Sequence, residues 1–458
     1  MSKRKILNLV VLAIFLMVSG FGCKGLSTEE KAKVKGAKLN YWTVFNDTAQ
    51  LKKYAEEYSQ RKPQVSVNIR SVRPEEFEKL FVNALADDVS PDIISVHIRD
   101  LNKYRARLDA MPGSVTVPIV YTKGEYIKET IVEPETRQLP GASVIKSAFV
   151  GTVYDDVVVS GQVYGLPLAL DTLALYYNKD LLDKAGIPEP PETWEEFMGA
   201  VKETTVFKSN GDILQSGVAL GTINNIENGF DILSLFMMQS GVQIASGNYV
   251  SFSSGIDKSK GNHPTLSALR FYTDFAQPTK DVYTWDENRE DALNQFVRGG
   301  SAFFIGFAYD YPRIKSRAPQ MNMAIIKLPQ LNPQSPVNVA SYWVESVPKK
   351  AKNKNEAWDF IGFITSKEKI AEYTKATRSP SPLRSQIKEQ EEDELLAPFA
   401  SQILNATNWY HGRNFEVAKS AFESLVHSYL QPYPEGEDKT ERDINLIIRA
   451  AQTVQQSM

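Results

Sequence analysis

The chain has 458 residues, and about 150 residues per domain predicts roughly three domains or two large ones. Hydrophobic residues make up 42% and charged residues 23%, which excludes a disordered chain, a collagen-like fibre and a polytopic membrane protein. The 52 basic and 55 acidic residues leave a net charge of −3, without the basic excess of nucleic-acid binders. A single cysteine excludes an intrachain disulfide and a metal cluster held by cysteines alone.

The first residues have the pattern of an export signal. A basic start at residues 3–5 precedes the apolar run 6–18, and Gly22 directly precedes the only cysteine, Cys23. This pattern predicts a secretory signal over residues 1–22, because the run is too short for a permanent transmembrane helix. The ending SGFGC resembles a bacterial lipobox, in which the cysteine is lipidated and becomes the mature N-terminus. We therefore expect lipidation of Cys23; the alternative is a plain signal peptide cut nearby, which leaves a free thiol.

A polar segment follows the cysteine. Residues 23–37 are rich in Lys, Glu, Ser and Gly and show no apolar periodicity, so they predict a flexible tether. No later apolar stretch approaches the ~18 residues that would suggest a membrane span. We expect the remaining chain to fold in water.

The folded part begins with alternating strands and helices. The strand-like and helix-like runs lie at 39–45, 51–58, 65–69, 75–85 and 92–96. This order is typical of parallel βαβ units, whose ligands lie beyond the carboxyl ends of the strands. The polar residues at those ends are Asn46, Asp47, Arg73 and His97.

The α/β alternation continues through the middle of the chain. Residues 173–178 predict a strand, and Thr193 with Glu196 forms a capping box at the start of a helix. Helical patterns dominate at 356–365 and from about 415 to the C-terminus. The coarse prediction is an α/β protein with a helical C-terminal part.

Common catalytic and nucleotide-binding signatures are missing from the sequence. It lacks GxSxG, HExxH, GxxxxGK[ST] and an EF-hand loop. Its four histidines share no helical ligand spacing, so no zinc site is predicted. Glycosidases need only two carboxylates, and 55 acidic residues leave that chemistry open. The sequence favours a protein without catalytic activity, metal or cofactor.

Several aromatic residues stand where a core does not require them. Those at the ends of β-prone runs or in loop-like segments are Trp42, Trp285, Tyr309, Tyr311, Trp343, Trp409 and Tyr410. Flat rings suit the apolar C–H faces of sugars, while nearby polar side chains bond the hydroxyls. Ordinary half-buried packing is the alternative for each of them. Trp194 and Trp358 lie early on amphipathic helices, and we expect them to pack in the core.

One long segment resembles a known family. The sequence LYYNKDLLDKAGI at 175–187 is followed by PPETWEEF at 190–197. Together they resemble extracellular solute-binding protein family 1, the receptors of ABC sugar importers that include maltose-binding protein. Shorter segments agree in order, at 39–45, 90–94, 165–170, 292–304 and 356–360. The similarity covers nearly all of the chain after the tether.

The resemblance implies an α/β fold of the two-lobed, periplasmic-binding-protein-like type II, with a mixed sheet flanked by helices in each lobe. We expect the N-terminal lobe at 38–169 and 287–340, and the C-terminal lobe at 170–286 and 341–458. The expected crossings between the lobes lie near Leu168–Leu173, Thr279–Glu287 and Val339–Val344. Such lobes close around a ligand by a rigid-body hinge motion.

The resemblance also implies which residues contact the ligand. Asn46 and Asp47 match the polar pair after the first strand, and Asp171 matches the acidic residue past the first crossing. Tyr309 matches a cleft aromatic, and Trp409 matches the aromatic of the late C-terminal segment. We add further candidate ligand contacts because of their position or aromatic character: Trp42, Arg73, His97, Trp285, Trp343, Arg378 and Tyr410.

The function implied is that of an extracytoplasmic receptor, held on the membrane by lipid at Cys23, which delivers a sugar or oligosaccharide to ABC permease subunits. We expect a monomer that binds no nucleic acid. The aromatic and mixed polar candidates favour a sugar over iron, phosphate or a polyamine. Two other functions stay open: a secreted two-lobed enzyme acting on glycosides, with an acid pair about 5–9.5 Å apart, and a surface sensing or docking protein with this fold.

Overall fold

The computed structural model describes residues 36–123, 129–257, 260–436 and 438–458. The expected signal segment 1–22 and Cys23 lie outside these ranges. The strands are β1 Ala37–Thr43, β2 Val65–Ser71, β3 Ile93–His97, β4 Ser114–Lys123, β5 Glu129–Gln138, β6 Val158–Val159, β7 Gln162–Val163, β8 Leu166–Pro167, β9 Asp171–Thr172, β10 Ala174–Asn178, β11 Val206–Phe207, β12 Ile213–Val218, β13 Ala245–Ser246, β14 Tyr249–Val250, β15 Ser301–Gly306, β16 Met323–Lys327, β17 Asn338–Ser341, β18 Trp343–Ser346 and β19 Ala406–Thr407.

The helices of the described residues lie mostly between these strands and, at the end, in a C-terminal helical part. They are α1 Thr48–Arg61, α2 Pro74–Ala86, α3 Leu101–Tyr104, α4 Ala142–Ala148, α5 Gly151–Val157, α6 Lys179–Lys184, α7 Trp194–Thr204, α8 Gly229–Gln239, α9 Pro264–Asp274, α10 Ala292–Val297, α11 Asp310–Arg317, α12 Lys354–Ile364, α13 Lys367–Thr377, α14 Arg384–Gln390, α15 Ala397–Ala400, α16 Phe415–Leu430 and α17 Lys439–Ser457. None of the described helices is both long and apolar enough to cross a bilayer.

The N-terminal lobe is built on a five-stranded sheet in the order β2-β1-β3-β18-β8. β1 is parallel to both β2 and β3, as the βαβ pattern predicts. β18 comes from far along the chain and runs antiparallel to β3 and to β8. Apolar side chains of α1, α2 and α12 join those of the sheet in one core, which holds Trp358 as expected.

The C-terminal lobe has its own five-stranded sheet, in the order β11-β12-β15-β10-β16. β10 runs antiparallel to its neighbours β15 and β16, while β12 is parallel to β15. The predicted capping box begins α7: the Thr193 hydroxyl accepts from the Glu196 backbone N–H, and the Glu196 carboxylate accepts from that of Thr193, both at 3.1 Å. α7 to α10, α16 and α17 contribute to the core of this lobe, which includes Trp194.

Within the described ranges, the chain crosses between the lobes three times, through a small separate sheet. The hinge sheet has the order β19-β17-β9, with β17 antiparallel to β9 and parallel to β19. Membership of the two cores changes between Leu170 and Leu173, between Val339 and Ala340, and between Ala406 and Trp409. Each strand of the hinge sheet therefore belongs to a different crossing.

The lobes divide the second half of the chain differently from the expected boundaries. β15 and β16, expected in the N-terminal lobe as part of 287–340, pair with β10 in the C-terminal lobe. β18 and α12, expected in the C-terminal lobe as part of 341–458, complete the N-terminal sheet and core. Residues 279–287 do not cross, because Phe275 and Ala292 on either side belong to one core. Alternation of strands and helices does not reveal which sheet a strand joins, since pairing depends on segments far apart in sequence.

Candidate ligand-binding cleft

A cleft of about 620 Å³ lies between the lobes, beside the hinge sheet. One wall comes from the loops after β1 and β3 and from α13, and the other comes from the start of α8 and the loop between β15 and α11. Since β1 and β3 are parallel, their carboxyl ends bring separate segments of the chain to one edge of the sheet. The predicted residues that line the cleft are Asn46, Asp47, His97, Asp171, Tyr309 and Trp343.

Four aromatic rings form a wall that continues from one lobe to the other. We call Phe45, Trp343, Tyr309 and Phe307 the aromatic wall. The rings of Phe45 and Trp343 are parallel with centres 6.2 Å apart, and Tyr309 meets Phe45 edge-on at 5.0 Å. Phe307 stacks on Tyr309 at 5.5 Å. Phe45 remains 50% exposed, so an apolar surface faces the cleft.

His97 is held as a neutral ring in the cleft wall. Its Nδ1 accepts from the backbone N–H of Arg99 at 3.3 Å, so the ring proton lies on Nε2, which is 3.2 Å from the Ser341 hydroxyl oxygen. Burial, and then the Arg99 cation, hold the pKa of His97 well below its usual range. Because Ser341 accepts from this ring, its own hydroxyl hydrogen is free to point to a ligand.

Asn46 is oriented by a buried network beneath the cleft. Its side-chain nitrogen donates to the Glu345 carboxylate at 2.6 Å, and Glu345 also accepts from Tyr41 at 2.5 Å and Ser95 at 2.8 Å. Burial raises the pKa of Glu345 to about 7. The side-chain oxygen of Asn46 is 3.5 Å from the Tyr373 hydroxyl, which also lines the cleft. The network thus directs the amide nitrogen inward and leaves an acceptor near the cleft.

Asp171 joins the hinge to the C-terminal lobe. Its carboxylate accepts from the backbone N–H groups of Thr172 at 2.8 Å, Ala308 at 2.9 Å and Tyr309 at 3.1 Å. Burial raises the pKa of this carboxyl to about 7, although the three N–H groups act in the opposite direction. Asp171 therefore fixes the loop that carries Tyr309, and most of its acceptor capacity is already used.

The other charged groups of the cleft also have protein partners. Arg99 donates to Asp231, and Arg313 donates to both oxygens of Glu227, at 3.2 and 3.0 Å. Asp47 caps α1 by accepting from the backbone N–H of Gln50 at 2.7 Å. Among the described residues, no group of three or more His, Cys, Asp or Glu side chains could hold a metal ion.

Three predicted contact residues lie on the N-terminal lobe but not in the cleft lining. Trp42 packs beneath the guanidinium of its cross-strand partner Arg70, at 5.0 Å. Arg73 is exposed at the start of α2 and pairs with Glu76. Arg378 ends α13 in a left-handed conformation and pairs with Asp393 at 3.2 Å, whereas its neighbours Thr377 and Ser379 reach the cleft.

Trp285, Trp409 and Tyr410 are core residues of the C-terminal lobe, which corrects their expected place in the site. Trp409 packs between Phe230 and Phe422, with ring centres 5.6 and 5.9 Å away. The polar side-chain atoms of all three residues have hydrogen-bond partners inside the protein. The partner is Ser234 for Trp409, Ser457 for Tyr410 and Asn225 for Trp285. The polar neighbours of Trp409 are not exposed to the cleft either, because Asn408 and His411 bond to the buried Asp156.

Several cleft residues escaped the sequence reasoning. Phe45 directly precedes the predicted pair Asn46 and Asp47, so the same strand-end argument could have found it. No local sequence pattern identifies Arg99 and Asp231 as cleft residues, because the two partners lie 132 positions apart in the chain. The other lining residues that were not predicted include Glu227, Asn228, Phe307, Arg313, Ser341 and Tyr373.

Residues 83–397 match the sequence model of a protein family, which is described as bacterial extracellular solute-binding protein. The chain belongs to this family. One relative of this solute-binding protein, the multiple sugar-binding protein of Streptococcus mutans, is 24% identical over 365 residues, which cover 78% of each chain. A putative binding protein of Brucella abortus is 28% identical over 261 residues, 55% of this chain and 57% of that protein. The match therefore spans little more than half of the Brucella protein's length.

Solved structures of solute-binding proteins share the two-lobed fold. A cyclo/maltodextrin-binding protein complexed with maltotetraose has a TM-score of 0.68 at 16% identity, covering 92% of this chain and 98% of that one. A solute-binding protein of Thermotoga lettingae bound to α-D-tagatose has a TM-score of 0.65 at 18% identity, covering 92% and 99%. These similarities establish the fold of the solute-binding protein.

Proposed function

We propose that this protein is the receptor of an ABC importer, which captures an uncharged sugar or oligosaccharide in the cleft and delivers it to a permease. The observation that carries the proposal is the aromatic wall, which continues across a cleft between two hinged lobes. Aromatic rings suit the apolar C–H faces of sugars, and a few placed polar groups fix the orientation of the ligand. Closure of the lobes by hinge rotation would enclose it.

The charged groups of the cleft favour a ligand without charge. Arg99 is bonded to Asp231, Arg313 to Glu227, and Asp171 to three backbone N–H groups. A charged ligand that displaced one member of the Arg99–Asp231 pair, whose side chains are 10% and 8% exposed, would leave a buried charge without its partner, at a cost of about 3–5 kcal/mol. The side chains of Arg313 and Glu227 are 40% and 46% exposed, so displacement of that pair costs less. Hydroxyl groups can use the remaining donors and acceptors without breaking a pair.

The names of the relatives support this ligand class. The Streptococcus mutans relative is a multiple sugar-binding protein, and one from Rhizobium radiobacter is a lactose-binding protein. Binding and delivery require no reaction on the ligand, so we propose no catalytic activity. The carboxylates of Asp171, Glu227 and Asp231 already accept hydrogen bonds from protein groups. This supports the absence of catalysis, because a glycosidase needs two carboxyl groups that flank the glycosidic bond.

We further propose that Cys23 carries the lipid that holds the protein on the extracytoplasmic face of the membrane. The support is the position of the only cysteine, directly after Gly22 at the end of an apolar run. The polar residues between Cys23 and β1 would then act as a tether, and the permease subunits would be the partner in the membrane. The receptor would act as a monomer.

A thermal-shift screen of the purified protein tests the ligand class. It compares maltotetraose, mannobiose and tagatose with amino acids, polyamines and inorganic phosphate. A ligand that binds only the folded state stabilises it by RT ln(1 + [L]/Kd), about 2.7 kcal/mol at one hundred times Kd. We expect a neutral sugar to raise the melting temperature, with the rise reduced in Trp343→Ala and kept in Trp42→Ala, which lies outside the cleft lining. A rise with a polyamine or phosphate instead, or hydrolysis of the sugar, would contradict the proposal.

A further inference from the structure

An arginine of one lobe is inserted into the other lobe beside the cleft. Arg99 lies in the short helical turn after β3 in the N-terminal lobe, and Asp231 lies in the first turn of α8 in the C-terminal lobe. The guanidinium donates to the Asp231 carboxylate, and the two side chains are only 10% and 8% exposed. Since both residues also line the cleft, the ion pair connects its two walls directly.

The C-terminal lobe forms an aromatic socket around the guanidinium of Arg99. The guanidinium lies 5.5 Å from the ring centre of Phe230 and 4.8 Å from that of Phe415, distances at which a cation is attracted to a ring. Phe230 in turn packs on Trp409 and Phe422, so the socket is part of the C-terminal core. Arginine suits this socket, because its flat and weakly hydrated guanidinium can stack and form a charge-assisted hydrogen bond together.

On its own lobe, Arg99 is tied to the binding surface. Its backbone N–H donates to His97, whose ring meets Trp343 of the aromatic wall edge-on at 5.1 Å. The ion pair of Arg313 with Glu227 is different, because both of its members belong to the C-terminal lobe. The position of Arg99 in the socket therefore affects the spacing between Trp343 on one wall and Tyr309 on the other.

We propose that Arg99 and Asp231 are positioning residues of the site, whose ion pair holds the two cleft walls at the spacing that the ligand requires. The inference rests on the proposed function, because it concerns a ligand bound between the walls. Both partners belong to the protein, so the pair favours closure whichever ligand occupies the cleft. Apparent affinity is reduced by the fraction of molecules that are not in the binding-competent form, so a pair that raises this fraction tightens binding.

Hydrogen–deuterium exchange on the full chain, measured before any sugar is added, tests the positioning role. The amides followed are those of the cleft segments 45–47 and 307–313. The variants are Arg99→Met, Asp231→Asn and the double variant, with Arg99→Lys as the conservative replacement. The matched control is Lys103→Met, because Lys103 pairs with Glu78 inside the N-terminal lobe. Far-UV circular dichroism and the melting temperature verify that each variant is folded, and Asp231→Asn still decides the question if Arg99→Met fails to fold.

We expect the followed amides on both sides of the cleft to exchange faster in both single variants than in the wild type. In the double variant they should exchange no faster than in the faster-exchanging single variant. Arg99→Lys should restore part of the protection, and Lys103→Met should match the wild type. With maltotetraose and tagatose as probes, affinity should fall about 5- to 150-fold, the usual range for coupling between sites.

Unchanged exchange in both single variants would overturn the inference. So would strictly additive effects in the double variant, or a loss of affinity without faster exchange, which would make Arg99 a ligand contact. Failure of all sugars in the thermal-shift screen would count against the proposed function alone, because the exchange experiment contains no ligand.

Discussion

The side-chain amide of Asn46, in the cleft wall, donates to the carboxylate of Glu345, in the core of the N-terminal lobe, at 2.6 Å. Glu345 is fully buried, and no Lys, Arg or His pairs with it among the described residues; its partners are the neutral groups of Tyr41, Ser95 and Asn46. A buried carboxyl without a cation is costly to ionise. The orientation of a cleft residue is therefore coupled to the protonation of an acid beneath it.

Replacing Glu345 by glutamine should change how stability depends on pH. Burial raises the pKa of Glu345 from 4.5 to about 7, so between these values the folded state holds a proton that the unfolded state has lost. The free energy of unfolding therefore falls as the pH rises from about 4.5 to 7, by on the order of 1–3 kcal/mol for this group. Urea unfolding should show Glu345→Gln gaining stability relative to the wild type between pH 5 and pH 8.

The quantity to compare is the difference in unfolding free energy between the variant and the wild type at each pH. The pH dependence of the wild type alone is not sufficient, because burial also raises the pKa values of Asp171 and Asp310 to about 7. Glu76→Gln on the exposed face of α2 is a suitable control. An equal stability difference between Glu345→Gln and the wild type at both pH values would show that Glu345 does not titrate in this range.

Two tryptophans should separate binding from folding. Trp409→Ala removes a buried ring from the C-terminal core and should lower the free energy of unfolding by about 3–5 kcal/mol. Trp343→Ala removes a half-buried ring of the aromatic wall and should weaken sugar binding by about 1–3 kcal/mol, similar to the stacking of a base on an aromatic ring. Urea unfolding and calorimetric titration measure the two effects. The reverse pattern would place Trp409 in the site.

Asp171→Asn should weaken the connection between the hinge and the cleft loop. Asparagine has one acceptor oxygen where the carboxylate has two, so its amide nitrogen would face a backbone N–H of Thr172, Ala308 or Tyr309. An unsatisfied buried donor costs about 1–3 kcal/mol, and we expect the free energy of unfolding to fall by that amount. Binding should weaken as well, since the loop carries Tyr309. Asp212→Asn, on an exposed turn, is the control; equal stability of the two variants would argue against this role.

Cys23→Ala should move the protein from the membrane to the soluble fraction. The reason is that the thiol of Cys23 is the only one in the chain that could carry the proposed lipid. Cell fractionation followed by immunoblotting measures the distribution. Ser27→Ala, four residues further along the tether, should stay on the membrane, and membrane retention of Cys23→Ala would rule out the anchor.

Local features of the chain were predictable from the sequence. The β1 to β3 strands, the helices between them and the capping box at Thr193 follow from hydrophobic periodicity and short-range hydrogen bonds. Because parallel strands end at a common edge, the same pattern placed Asn46, Asp47 and His97 near one another, and all three line the cleft. The family resemblance extended this to the two-lobed fold.

Only the tertiary structure decided which lobe each later segment joins and which rings face the cleft. β15 and β18 are both short and buried, yet one pairs with β10 and the other with β3. Trp343 and Trp409 are both candidate cleft residues by sequence, but Trp409 is enclosed by Phe230 of α8 and Phe422 of α16. Hydrophobic periodicity in the sequence indicates which residues are buried. It does not indicate their partners, because strand pairing, ring packing and the bond from Arg99 to Asp231 depend on residues that only folding brings together.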